Sequence, residues 1–138
     1  MASELRVNTL KDANGNNSIA TSIVAGGSAK AWVNFNGGSI TDPASTTGVR
    51  SPDGSFGVTS MLDRGTGLGT MNLSVTMGNV SYAGTTSCMG TNGDDDGRNY
   101  IAVAMPQDAS KVYVNQFTTG GSAADAGYVA AHIMGELA

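Results

Sequence analysis

The sequence predicts an all-β protein: an antiparallel β-sandwich or jelly-roll-like domain over residues 28–138, preceded by an extended N-terminal arm over residues 1–27. Three observations carry that expectation. Glycine numbers 20 in 138 residues and Ser, Thr and Asn are abundant, whereas Leu, Glu and Lys, the residues that fill ordinary helices, are scarce. Apolar residues recur at every second position along much of the chain, the period of a half-buried strand. Glycine-, asparagine- and proline-rich turn signals separate these runs at the spacing of an antiparallel sandwich or barrel. The length suits one domain and is too short for two independent cores.

In chain order, Leu5, Val7 and Thr9 alternate with Arg6, Asn8 and Leu10 as a first short strand. Asn14-Gly15 marks a turn, residues 18–24 read as a second strand, and Ala25-Gly26-Gly27-Ser28 reads as a hinge. A two-stranded unit is marginal alone in water, so this arm must pack on the domain, on another protein or on copies of itself. Beyond the hinge, Ala29, Ala31, Val33 and Phe35 oppose Lys30, Trp32, Asn34 and Asn36. Phe56, Val58 and Ser60 alternate with Gly57 and Thr59. Met71, Leu73, Val75 and Met77 alternate with Asn72, Ser74 and Thr76, the clearest half-buried strand, and residues 80–89 form a weaker one. Ile101, Val103 and Met105 alternate with Tyr100, Ala102 and Ala104. Val112 and Val114 oppose Tyr113, Asn115 and Phe117. Val129, Ala131 and Ile133 oppose Tyr128, Ala130, His132 and Met134. Only residues 44–47 and 123–126 suit a helical turn. Trp32, Tyr113 and Phe117 fall opposite the faces assigned to the core, and self-association would bury that second face.

Charge and cysteine content bound the function. Seven Lys and Arg against 11 Asp and Glu give a net charge of −4, without the cationic surplus that a phosphate-binding face needs, so no nucleic-acid partner is expected. No apolar run approaches a membrane span, and the N-terminal residues lack a signal-peptide pattern, so synthesis in a cytoplasm without export by that route is expected. Cys88 is the single cysteine; no intrachain disulfide can form, and a buried, inert thiol is expected.

Candidate chemistry is thin. Asn92, Asp94 and Asp96, with Gly97, occupy the first, third, fifth and sixth positions of a calcium-loop pattern, but Val103 stands where the bidentate Glu belongs. A solvated hairpin tip is the plainer reading, and Asp94, Asp95, Asp96 and Arg98 are candidate receptor contacts. His132 has no partners at triad or zinc spacing; only copies meeting on a threefold axis would make it a ligand. The run from Gly65 to Gly69 lacks the lysine and helix of a phosphate loop and reads as a turn. Asp42, Asp53 and Asp63 sit beside turns, with nothing to single out a glycosidase pair. Trp32 could stack on a sugar or fill a subunit contact. No enzyme signature and no cofactor motif emerges.

Several stretches resemble small fibre-like proteins of tailed bacteriophages, especially marine ones. Residues 3–17, with Leu5-Arg6-Val7-Asn8-Thr9-Leu10-Lys11-Asp12, resemble their opening, and Gly27-Ser28-Ala29-Lys30-Ala31-Trp32-Val33-Asn34-Phe35-Asn36-Gly37 resembles their next signature. Phe56-Gly57-Val58-Thr59-Ser60 with Arg64-Gly65-Thr66-Gly67, and Tyr128-Val129-Ala130-Ala131-His132-Ile133-Met134-Gly135, are weaker matches. The resemblance implies a virion structural protein, tail-fibre-like and homotrimeric, assembled in the host cytoplasm. Its implied partners are other virion proteins, its own copies and a host-surface glycan or protein. Leu5, Val7, Trp32 and Phe117 are then the candidate oligomer contacts. The chain departs from the pattern over residues 37–55 and at the acidic loop 92–97. A capsid decoration protein is the alternative, and a carbohydrate-active enzyme a more distant one.

Overall fold

The computed structural model describes residues 7–15, 18–39, 49–50, 54–90 and 99–138. Eleven strands occur among these: β1 (Thr9–Lys11), β2 (Ser18–Ala20), β3 (Ala29–Phe35), β4 (Val49–Arg50), β5 (Gly54–Phe56), β6 (Val58–Asp63), β7 (Leu68–Leu73), β8 (Ala83–Met89), β9 (Tyr100–Asp108), β10 (Lys111–Thr118) and β11 (Tyr128–Met134), with one helix, α1 (Thr21–Gly27). All pairings are antiparallel. The order β4-β6-β7-β10-β9 makes a five-stranded sheet and β5-β3-β11-β8 a four-stranded one, with β1 and β2 as a separate hairpin. The fold is all-β and sandwich-like.

The core lies between the two larger sheets. Ala31, Val33 and Phe35 of β3 and Val129, Ala131 and Ile133 of β11 come from one; Met61, Met71, Leu73, Val112 and Val114 come from the other, all buried. Strict alternation on β3, β10 and β11 puts these residues inside and Trp32, Tyr113 and His132 outside, as the period-2 pattern predicts. Met77 and Tyr82, from the connection after β7, close one end of the core. The Tyr82 hydroxyl donates to the carbonyl oxygens of Asp108 and Lys111, 2.8 Å from each, and pins the β9–β10 turn.

Five readings of the chain are corrected. Residues 18–24 are not one strand: pairing stops at Thr9↔Ala20 and α1 begins at Thr21. The Thr21 amide and hydroxyl are both tied to the Asn8 carbonyl, which turns the chain out of the sheet. The glycines assigned to a hinge therefore finish a helix, closed by the Ser28 amide on the Val24 carbonyl (3.0 Å) and by the Lys30 ammonium on the carbonyl of Ala25. The run from Phe56 to Ser60 is likewise two strands in different sheets. Gly57, at φ +69°, carries the chain across; a side chain there would stand 2.3 Å from the Lys30 carbonyl oxygen. The alternation ending at Met77 forms a strand only from Leu68 to Leu73. Residues 123–126 are not helical; Ala123 bridges Phe117 instead. The other suggested helical turn, 44–47, lies outside the described residues.

The two sheets meet along β8 and β9. Gly84 is so close to β9 that a Cβ there would lie 2.7 Å from the Ala104 Cβ. The Thr86 hydroxyl donates to the Ala102 carbonyl at 2.6 Å. Opposite Gly84 and Thr86 the seam admits only small side chains, at Ala102 and Ala104; Tyr100, on the same side of β9, packs against the core at the start of the strand. Ala102 and Ala104 face in, and the larger Ile101, Val103 and Met105 face solvent.

Candidate functional site

Each of the two larger sheets exposes large side chains on its outer face, and the chemistry of the two faces differs. On the five-stranded sheet, Ile101, Val103 and Met105 of β9 are 48%, 38% and 39% exposed. They stand beside Phe117, Asn115 and Tyr113 of β10 respectively. On β7, half-buried Leu68 stands beside Asn115, and Thr70, covered, stands beside Tyr113. The Arg64 guanidinium caps the patch, 4.3 Å from the centre of the Tyr113 ring. The result is an aliphatic stripe edged by two aromatic rings.

On the four-stranded sheet the exposed side chains are aromatic and neutral-polar. One row across the strands runs Phe56, Trp32, His132, Thr85; the next runs Gly54, Asn34, Ala130, Ser87; Tyr128 and Met89 follow. Trp32, Phe56 and Tyr128 are 38%, 60% and 48% exposed. The indole of Trp32 leans over Gly54, where a Cβ would lie 3.4 Å from Cζ3. A shallow depression of about 370 Å³ opens beside it, lined by Asn34, Ser87, Cys88, Met89, Tyr128 and Ala130.

These placements sort the residues singled out from the sequence. Trp32 and Phe117 are both on outer surfaces but on different sheets, so one flat contact cannot use both. Val7 is exposed beside the β1–β2 hairpin. Leu5, Asn92, Asp94, Asp95, Asp96 and Arg98, as well as Asp42 and Asp53, lie outside the described residues. His132 is exposed, with its side chain on the outer face, whereas Cys88 pairs across from buried Val129 and packs against the core. The two side chains are on opposite sides of the sheet and form no thiol–imidazole pair. Among the described residues no three His, Cys, Asp or Glu side chains converge.

The turn carboxylates have structural partners. Asp63 Oδ1 accepts the Gly65 amide (2.7 Å), Asp125 Oδ1 accepts the Gly67 amide (2.6 Å), and Asp108 Oδ1 accepts from the Ser110 amide and hydroxyl (2.7 and 2.8 Å). The serine bonds hold the Asp108 carboxyl below its ordinary range, with a smaller contribution from Lys111. The glycine-rich segment is the β6–β7 turn, as expected, with Gly65 and Gly67 at positive φ.

Cys88 departs from the expectation of full burial: it is half-buried because it lines the seam with β9, not the centre of the core. Desolvation pushes its thiol above the ordinary value, opposed by a weaker bond to the Ala102 backbone. Tyr82 is also raised, by burial first and then by the charge of Asp108. Both groups hold their protons more tightly in the folded chain. Their contribution is therefore intact below the ordinary thiol and phenol values and is lost as pH rises through the folded ones. Thermal melts should be level near neutral pH and fall from about pH 9 upward. Cys88→Ala with Tyr82→Phe should flatten that decline; an unchanged slope in the double variant would refute the assignment.

Sequence reading did not single out Phe56, Tyr128 or the Ile101–Val103–Met105 stripe as surface features. The available signal was the pairing of bulky residues with alanine on the opposite side of β9. Comparison with protein-family profiles, with curated proteins and with solved structures finds no match to this chain.

Proposed function

We propose that this chain is a fibre-like structural subunit of a tailed-bacteriophage virion that assembles as a homotrimer. The observation that carries the assembly is the exposed Ile101, Val103 and Met105 stripe with Tyr113 and Phe117 beside it. Monomers rarely leave a contiguous aliphatic surface open, and covering it with a sister subunit gains apolar burial. The virion assignment rests on the resemblance of residues 3–17 and 27–37 to fibre-like phage proteins. In this reading residues 1–27 are an attachment arm. Its exposed Leu10, Ile19, Ile23 and Val24 are suited to a neighbouring chain. Residues 28–138 are the assembling domain, a jelly-roll-like body in the fibre reading. The acidic loop near Asp94 contacts the host surface.

Sedimentation of the full chain at micromolar concentration tests the reading. The expected mass is three times 13.9 kDa. Val103→Asp should release monomers that keep their β-sheet circular-dichroism signature, because an unpaired carboxylate buried in an apolar contact is strongly disfavoured. Deleting residues 1–27 should block incorporation into particles. A wild-type monomer would refute the trimer, and particles that accept the truncated chain would refute the arm.

A further inference from the structure

We infer that the outer face of the four-stranded sheet is a binding platform for an uncharged oligosaccharide, with Trp32 as its stacking surface. The inference deepens the proposed host-surface role and rests on that reading for its biological target; its physical basis is independent of it.

The composition of the face is the first argument. Three of the chain's eight aromatic side chains, Trp32, Phe56 and Tyr128, share it and are substantially exposed. Hydrogen-bonding groups are interleaved with them: His132 is next to Trp32, Thr85 next to His132, and Asn34 and Ser87 are in the neighbouring row. A pyranose ring has an apolar C–H face and a rim of hydroxyls. The first matches a flat aromatic ring; the second matches side chains that both donate and accept. Between the Trp32 row and the Tyr128 row there is no Asp, Glu, Lys or Arg on the outer face of the described strands. That absence matches an uncharged ligand and offers nothing to a phosphate or carboxylate.

Shape is the second argument. Gly54 and Ala130 put the smallest side chains in the middle row, so the platform has a floor between raised edges. The benzo edge of the indole, Cζ3 and Cη2, lies against Gly54, where no side chain intervenes, and Trp32 remains partly exposed. From His132, beside Trp32, to Tyr128 is four residues along β11, about 13 Å at the rise of an extended strand. The depression lies within that span. A short oligosaccharide lying along β11 would touch the indole at one end, the phenol at the other, and Asn34 and Ser87 between.

The rival occupant is a second copy. Closing a flat protein surface over this face would bury Asn34, Thr85, Ser87 and His132, and each would need a matched partner at a fixed position. Sugar hydroxyls reorient to meet them. The stripe on the other sheet sets Ile101, Val103 and Met105 in line, and the aliphatic area it would remove from water makes it the better subunit contact.

Trp32 is the single tryptophan, so its fluorescence reports this face alone. The full chain is titrated with cellotetraose, maltotetraose, mannotetraose and N-acetylchitotetraose. A saturable emission change with at least one is expected. By calorimetry Trp32→Ala should weaken that binding about tenfold or more, Tyr128→Ala should weaken it, and Val103→Asp should leave it unchanged. Trp32→Phe, which keeps a ring, should retain part of it and covers the case in which the alanine variant does not fold. No response to any of the four sugars, or undiminished binding by a folded Trp32→Ala, overturns the platform. So does a fall in sedimenting mass in Trp32→Ala, which would make this face a subunit contact. A chain that binds sugar as a monomer retains the platform and loses the trimer; a trimer that binds none does the reverse.

Discussion

Gly67→Ala should cost about 3–5 kcal/mol of folding stability, a large part of the 5–15 kcal/mol typical of a single domain. Two penalties fall on one residue. Gly67 has φ +70°, where an L side chain is strained, and a Cβ there would stand 2.4 Å from the Gln116 carbonyl oxygen and 2.7 Å from the Ala124 nitrogen. Both neighbours are backbone and cannot rotate away. The approach is functional for the fold: the Gly67 carbonyl accepts the Gln116 amide at 2.7 Å, and the Gly67 amide donates to Asp125 Oδ1 at 2.6 Å. The tip of the β6–β7 turn is thereby stitched to the end of β10 and to the chain leading into β11. Gly121→Ala is the control. It has φ +85° but open space around it, so only the backbone term of about 1 kcal/mol applies. Urea midpoints of the two variants should differ by several-fold in their shift from wild type. Equal shifts would show that the close approach is not felt.

Much of this architecture is legible in the chain because alternation and burial are the same physics on strands with one buried face. Val112 and Val114, or Val129, Ala131 and Ile133, could sit nowhere but the core once their strands formed. Where a local choice was decided by a distant partner, the pattern misleads. Ile101, Val103 and Met105 are more apolar than Ala102 and Ala104, yet they face water. The approach of Gly84 to Ala104 leaves no volume for a large side chain at that point on the inner side of β9. Ile23 and Val24 have strand propensity, yet they lie in α1, which buries none of its residues and has no side-chain N-cap to mark it. Gly57 looks like one more small residue in an alternating run until the Lys30 carbonyl behind it is known. Of the candidate site, the sequence offers Trp32, but not that β5 brings Phe56 beside it or that β11 sets Tyr128 two rows away. Those neighbours come from pairings between residues far apart in the chain.

The same distinction gives the two outer faces separate roles. The aliphatic stripe arises because the β8–β9 seam excludes bulk from within. The aromatic face arises because Trp32 and Tyr128 alternate with core residues on β3 and β11 and β5 pairs Phe56 beside Trp32. An aliphatic contact gains mainly from area removed from water and tolerates few polar groups. An aromatic face interleaved with amide, hydroxyl and imidazole groups can stay hydrated and still select a ligand that offers both apolar surface and hydroxyls.

The second large effect is expected at Gln116, the third inward position of β10 after Val112 and Val114 and 1% exposed. Hydrophobic patterning favours Leu there. Gln116→Leu should nevertheless destabilise the fold by about 2–3 kcal/mol. The amide oxygen Oε1 accepts the Ala126 backbone N–H at 2.8 Å, and the Ala126 carbonyl accepts the Gly37 amide at 2.8 Å. One buried side chain thus anchors Ala126, before β11, and the Ala126 carbonyl in turn holds Gly37, after β3. Gly37 fits so tightly that a Cβ would lie 2.6 Å from the Ala126 carbonyl oxygen. A leucine leaves the Ala126 N–H buried without an acceptor, and its gain in apolar burial does not replace the bond. Gln116→Glu separates the bond from the shape. Its carboxyl oxygen can still accept from Ala126, but burial would raise its pKa. The variant should approach wild-type stability below the ordinary glutamate value of about 4.3 and lose it as pH rises through the elevated one. Denaturant midpoints across that range read the difference directly. A leucine variant as stable as wild type would show that the clamp contributes nothing, and a glutamate variant with no pH dependence beyond that of wild type would show that the site is open to water.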